Sequence, residues 1–253
     1  MCLMQPKHHS MKKLLLASLL ALTVVFSFVP ANVYAAIAFG GVSAVSTSQT
    51  PTSVAVSGSN TIGIVCVNGD DSADNISAVT WDGVSMTKIG AVFIPGARWT
   101  GAWWVANPTS SATISFTGGS FWRSYSSYYT GAAQTGQVDS SNTGTSVASA
   151  AITVATTVVA SNSWYVMCQG DGAGGQAYTP SGVLVTTRFD SDAGGLAMAD
   201  SNGIVGTGSQ SGTMTQGSGT TGHAGIAFSI APYVAPVVST ASILASILEW
   251  FDI

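Results

Sequence analysis

The sequence predicts an all-β protein, an antiparallel β-sandwich. Three observations carry that prediction. Short apolar–polar alternations recur along the chain, they are rich in β-branched residues, and Gly, Asn and Asp separate them. Only 7% of residues are charged although 46% are hydrophobic, so the Glu- and Lys-coated faces of a helix bundle cannot be built. Ser and Thr supply the polar surface instead, and Thr also fits a pleated sheet.

The first element is a leader. Met11-Lys12-Lys13 precedes an apolar run from Leu14 to Val29, then Pro30 and the small-residue site Val33-Tyr34-Ala35. A positive start, an apolar middle and small residues before the cut define a secretory signal peptide. The leader is assigned to residues 1–35, a helix with its true start at Met11, and cleavage is expected after Ala35 or Ala36. An uncleaved anchor is the competing reading. Removal takes Lys7, Lys12 and Lys13 with it. Lys88, Arg98, Arg123 and Arg188 then face eleven carboxylates, a formal charge of −7. So few cations exclude a phosphate-tracking nucleic-acid binder.

One β domain is expected over 37–232. Thr52–Val56 and Thr61–Val67 read as strands. Ile76–Trp81 and Val84–Ile89 flank Asp82-Gly83, a dipeptide that suits the tight hairpin turn. Ala91–Ile94, Trp99–Ala106, Ala112–Thr117 and Trp122–Thr130 follow, with Asn107-Pro108 as punctuation. Gln134–Thr145 reads as a polar loop. Ala151–Thr157, Ser163–Gln169, Val183–Phe189, Leu196–Ala199 and Ala224–Ile230 complete the set. Gly203–Gly222 reads as Gly/Ser/Thr-rich loop, with Met214 hinting at one short strand. Residues 233–253 form a linker with Pro236 and a short tail helix. Ile243, Leu244, Ile247, Leu248 and Phe251 share one face of it. That helix is too short to span a bilayer, so no membrane span is expected after leader cleavage.

One stretch recurs. Ser59–Cys66 aligns without gaps to Ser161–Cys168, and Asp70 and Asp171 then follow Gly69 and Gly170. Either two strands meet the same turn problem twice, or they form a pseudo-symmetric pair whose cysteines, Cys66 and Cys168, form a disulfide. An even pair in an exported chain permits the bond.

The residue inventory is poor in catalytic groups. His223 is the one histidine left after the leader, no G-x-S-x-G elbow occurs, and the only Glu is Glu249. His223 reads as a turn residue at a strand entrance. Two distant cysteines and one histidine make no zinc site. No enzymatic activity and no resident cofactor are expected. Calcium is the one ion with a candidate site: Asn68–Asn75 gathers Asp70, Asp71 and Asp74 as hard oxygen ligands. The spacing is not that of an EF-hand, and a solvated acidic loop is the competing reading. Asn75-Ile76-Ser77 also fits a glycosylation sequon.

The aromatic residues Trp99, Trp103, Trp104, Trp122, Tyr125, Tyr128 and Tyr129 crowd into one stretch. Neighbouring strand residues face opposite ways, so Trp103 and Trp104 cannot both enter one core. Part of the set must face outward or into a second interface. Exposed rings would bind a glycan or a protein partner.

Val79–Thr87, Trp104–Pro108 and Ser127–Gln134, in that order, resemble a broad group of secreted or surface β-sandwich proteins of uncultivated bacteria and phage-like structural genes. The resemblance covers most of 37–232. It implies a jelly-roll-like sandwich on a cell or particle surface, and it brings no catalytic residues. The expectation is therefore a secreted or cell-surface, non-enzymatic module that is adhesive or ligand-binding through its aromatics. The alternative is a structural subunit of an extracellular assembly, self-associating through the tail or an edge strand. A hydrolase ranks third.

Overall fold

A computed structural model describes residues 33–236, except 47–53, 70–72, 95–97, 111–112, 120–122, 148, 173–176, 192–194 and 218–221. Tyr34–Tyr233 forms one compact unit. The expected leader, but for its last residues Val33–Ala35, and the expected tail helix lie outside the described residues. Within them the regular structure is all strand, and every pairing is antiparallel.

Eight strands make up the first half: β1 (Ala38–Val42), β2 (Ile62–Gly69), β3 (Ala78–Trp81), β4 (Val84–Ser85), β5 (Thr87–Phe93), β6 (Trp99–Ala106), β7 (Ile114–Thr117) and β8 (Arg123–Thr130). The second half holds β9 (Ser140–Ser146), β10 (Ala151–Val158), β11 (Trp164–Asp171), β12 (Tyr178–Gly182), β13 (Thr186–Ser191), β14 (Leu196–Asp200), β15 (Gly208–Gln216) and β16 (His223–Ile230). They form two five-stranded sheets, β1-β8-β2-β6-β5 and β13-β14-β11-β16-β9. Two three-stranded sheets, β4-β3-β7 and β10-β15-β12, accompany them.

The central strands of each five-stranded sheet are buried on both faces. Between the two lies a shared core with Ile62, Ile64, Tyr125 and Tyr129 from one and Val166, Met198, Ile226 and Phe228 from the other. The opposite face of the first sheet packs Val65, Trp99 and Trp103 against Val79, Trp81 and Ile114 of β3 and β7. The opposite face of the second packs Tyr165 and Met167 against Ile152, Tyr178 and Met214. Double burial explains why β2 and β11 are buried at every position, as near-continuous apolar strands are when both faces are covered. Each fully buried large side chain stabilises the fold by about 1.5–3 kcal/mol.

The halves repeat one strand order. β1, β2, β3, β5, β6, β7 and β8 match β9, β11, β12, β13, β14, β15 and β16, in sequence and in sheet position. Bulges fall in the same place. One interrupts β5 just before Gly90, which sits in the row Tyr125–Cys66–Ala102–Gly90. The other interrupts β13 just before Phe189, in the row Ile226–Cys168–Met198–Phe189. Asn60 and Asn162 take positive φ, 52° and 61°, two residues before β2 and β11, a conformation that Asn tolerates. The recurrence of Ser59–Cys66 at Ser161–Cys168 is thus the visible part of a repeat that runs through both halves. Cys66 and Cys168, at matching positions, form a disulfide with Cα atoms 6.2 Å apart.

Several expectations are corrected. The Asp82-Gly83 turn forms, with φ of 51° and 78°, but its hairpin has only two pairs, Thr80–Ser85 and Trp81–Val84. Met86 then turns inward and the chain crosses to the large sheet as β5. The Gln134–Thr145 loop contains β9, whose Ser, Thr, Asn and Gly carry no apolar alternation because only its pairing with β16 orders it. Gly203–Gly222 contains the nine-residue β15. β1 and β12 were not anticipated, and Val54–Val56 is not a strand. Pro180 is accommodated because β12 is an edge strand.

Candidate functional site

The aromatic set is placed almost wholly inside. Trp99, Tyr125 and Tyr129 have no exposed surface, and Trp103 and Tyr128 are also buried. Trp104 is half-buried against the shared core, and Trp122 lies outside the described residues. The alternation argument holds: Trp103 and Trp104 do face opposite ways. Both directions lead to a core, because the sheet carries packing on each side. An exposed stacking platform built from these rings is therefore corrected to a double core. Trp99–Trp103 and Trp103–Phe116 meet edge to face, with centroids 6.3 and 6.5 Å apart, an arrangement that aromatic quadrupoles favour.

The acidic loop is partly placed. Asp74 pairs with Lys88 and accepts a hydrogen bond from the Ile76 amide at 3.2 Å. Asp70 and Asp71 lie outside the described residues. Among the described residues no group of three His, Cys, Asp or Glu is placed to hold a metal.

A buried polar cluster, unanticipated from sequence, closes one end of the second half's outer core. Strand pairing sets Asp171 of β11 opposite His223 of β16. Asp171 Oδ2 accepts a hydrogen bond from the Tyr178 hydroxyl and another, at 3.3 Å, from Gln216 Nε2. Gln169 Nε2 lies 2.9 Å from His223 Nδ1. With the Gln169 amide donating, the neutral ring carries its proton on Nε2. His223 Nε2 itself is buried with no hydrogen-bond partner among the described residues. Asp171, Gln169 and His223 are fully buried. Asn68 of the first half reaches in, donating to the Asp171 and Gly195 carbonyls at 3.1 and 2.9 Å.

Burial lowers the His223 pKa, and the Asp171 charge and the Ser149 carbonyl oppose that only in part. Burial, followed by the charge and hydrogen bond of Asp171, pushes the Tyr178 hydroxyl far up. The cluster thus favours a neutral histidine and a protonated tyrosine around one carboxylate. The sequence hint was a polar Gln169 and Asp171 on the same face of an otherwise apolar strand.

An ion pair with a fully buried carboxylate borders the shared core. Arg188, the bulged residue of β13, donates to Asp200 Oδ2 at 2.8 Å, and the Tyr129 hydroxyl donates to the same oxygen at 2.9 Å. The guanidinium lies 4.6 Å from the Phe39 ring centroid, a cation–π contact. Asp200 is fully buried, and this Arg–Asp–Tyr group ties the halves together, with Arg188 and Asp200 from the second and Tyr129 from the first.

Two hollows lie at the surface. One, of about 570 Å3, is walled by Tyr34–Ile37, Trp164 and Ile204 and contains no charged side chain. The other, of about 350 Å3, runs between Ser140–Asn142 and Ala155–Thr157 and is lined mainly by hydroxyls. Neither is lined by His223, Asp171 or a ring of the aromatic set. No family model, curated protein or solved structure matches the chain.

Proposed function

We propose that this chain is an exported, non-enzymatic structural subunit of an extracellular or cell-surface assembly. The observation that carries the reading is where its functional side chains lie. The described rings of the aromatic set pack against two cores, and His223 and Asp171 are fully buried. The outward positions of β10 and β15 are instead Thr153, Ala155, Thr157, Ser209 and Ser211, small and uncharged. The signal-like leader and the Cys66–Cys168 disulfide fit an oxidising exterior.

The strand order supports the jelly-roll-like reading. Numbering the second half's strands from one to eight, its sheets run 1-8-3-6-5 and 2-7-4. Such double-sheet folds recur in capsid and lectin domains, so the architecture suits assembly and does not by itself define a ligand.

The test is cross-linking of intact producer cells and their medium, followed by fractionation and detection of this chain. The expected outcome is export with Cys66 and Cys168 oxidised and recovery in cross-linked species larger than the monomer. A reduced chain confined to the cytosol would overturn the reading. So would an exported chain that cross-links to nothing.

A further inference from the structure

The exposed apolar side chains of the domain gather at one end. Among the described residues of Tyr34–Tyr233, Phe93 and Val147 lie where β2 and β11 finish. Phe93 pairs with Trp99, itself paired with Gly69, and Val147 follows Ser146, paired with His223. The other five large ones, Tyr34, Val84, Val159, Val185 and Ile204, lie where β2 and β11 begin. Val159 donates its amide to Asp139, whose own amide bonds Ser229, the partner of Tyr165 in β11. Val185 donates to the Asp200 carbonyl at the end of β14. Ile204 and Tyr34 wall the hollow of about 570 Å3 together with Trp164, the first residue of β11. Val84 follows the Asp82-Gly83 turn and pairs with Trp81, whose ring lies against Gly63 of β2.

Single exposed apolar residues are ordinary, but a group of them beside an apolar hollow marks a contact surface. Val159, Val185 and Ile204 are 66%, 65% and 68% exposed. The charges around these three are already engaged. Asp139 Oδ2 accepts from the Val159 and Ala160 amides and from the Ser229 hydroxyl, and Arg188 pairs with Asp200.

The chain also enters and leaves the domain at this end. Ala35 donates its amide to the Tyr233 carbonyl at 2.8 Å, and Tyr233 donates to Gly131, just past β8. Both neighbouring stretches of sequence are apolar. Upstream lies the run Leu14–Val29. Downstream, residues 237–253 contain Ile243, Leu244, Ile247, Leu248, Trp250 and Phe251, with Glu249 and Asp252 as their only charges. Cleavage after Ala35 would take Tyr34 and Ala35 off the wall of the hollow and leave Ile37, Trp164 and Ile204 lining it, so the end stays apolar in the processed chain.

We infer that this end of the domain rests on a lipid bilayer, with Val159, Val185 and Ile204 entering the interface and the apolar sequence downstream of Tyr233 entering the same membrane. The inference rests on the exported, surface reading above and names the surface. With a formal charge of −7 after leader removal, anionic headgroups would repel the chain. Burial of apolar area must supply the attraction, so a bilayer of neutral headgroups is the surface that fits.

The test is flotation of the full exported chain with phosphatidylcholine vesicles, paired with hydrogen exchange on the same mixture. Wild type is expected to float at low and at high salt alike, and vesicles are expected to slow exchange in peptides carrying Val159, Val185 and Ile204 but not Phe93 or Val147. Val159→Asp/Val185→Asp/Ile204→Asp is expected to partition about 100-fold more weakly, with a melting temperature close to wild type because all three positions are exposed. Phe93→Asp/Val147→Asp, at the opposite end, is expected to float like wild type. A wild-type chain that stays with the soluble fraction overturns the inference. Flotation without slowed exchange at Val159, Val185 and Ile204 also overturns it, because another segment then holds the membrane, a retained leader included. A chain that self-associates without vesicles, and loses that association in the triple variant, gives this end to a second copy and overturns the lipid assignment. A chain that cross-links on cells yet ignores vesicles loses this inference alone and keeps the assembly reading.

Discussion

The two halves share one strand order and close one end of their outer cores with opposite chemistry. In the first half the outward rows of β2 and β6 read Val65–Trp103, Val67–Gly101 and Gly69–Trp99. The matching rows in the second half include Met167–Ala199 and Gln169–Ala197, and Asp171 takes the place of Gly69. Glycine makes room for tryptophan in one: a Cβ on Gly69 or Gly101 would strike the Trp99 ring. Small residues make room for a hydrogen-bonded carboxylate in the other. One backbone plan therefore tolerates an apolar plug or a polar network. Where the halves meet the difference disappears, because Cys66 and Cys168 pair at matching points.

The largest test of this comparison removes the link. Cys66→Ala/Cys168→Ala opens a loop of sequence separation 102, and chain-entropy arguments put the loss at about 4.7 kcal/mol for a closed loop of that size. Urea unfolding should show a lower midpoint, and an unchanged midpoint would mean that the shared core alone holds the halves together. Next comes the apolar plug. Trp99→Ala empties a fully buried site and is expected to cost about 3–5 kcal/mol. A loss under half of that would show that Gly69 and Gly101 let the core collapse.

Asp171→Asn tests the polar counterpart. Tyr178 and Gln216 would lose a charged acceptor, and such bonds contribute about 1.5–3 kcal/mol each at most. Thermal unfolding of the variant should show this smaller effect, and no change would mean that the carboxylate is not needed to seat Tyr178.

The smallest effect is a pH dependence confined to the second half. The His223 pKa is lowered in the folded state. Above the free value of about 6.5 the ring is neutral in both states and contributes nothing. As pH falls below it the unfolded chain takes up the proton first, so stability is lost on acidification. His223→Gln should flatten that acid limb in denaturant titrations between about pH 7 and 5. A variant with the wild-type slope would remove His223 as its cause.

The all-β class and most strands were legible because burial on one or both faces leaves a pattern in the residues themselves. Trp99–Ala106 was bounded correctly, and Asp82-Gly83 announced its own turn. β9 was not legible and β15 showed only through Met214, since Gly, Ser and Thr form a strand only when a neighbour supplies the ladder. The aromatic residues were recognised as facing two ways, but sequence could not say that both ways were covered. The Asp171–Tyr178–His223 cluster joins residues from three separate strands, which no local pattern reveals.

By itself the sequence determined the covalent and periodic facts: few charges, a leader-like start, alternation, and a recurrence ending in cysteine. Those are local, set by residue type and spacing along the chain. Only the tertiary structure decided that the recurrence is half of a repeat, that the two cysteines meet and that the rings are enclosed. Each of these depends on contacts between residues far apart in the chain, and burial and pairing at such distances are properties of the packed sheets rather than of any segment.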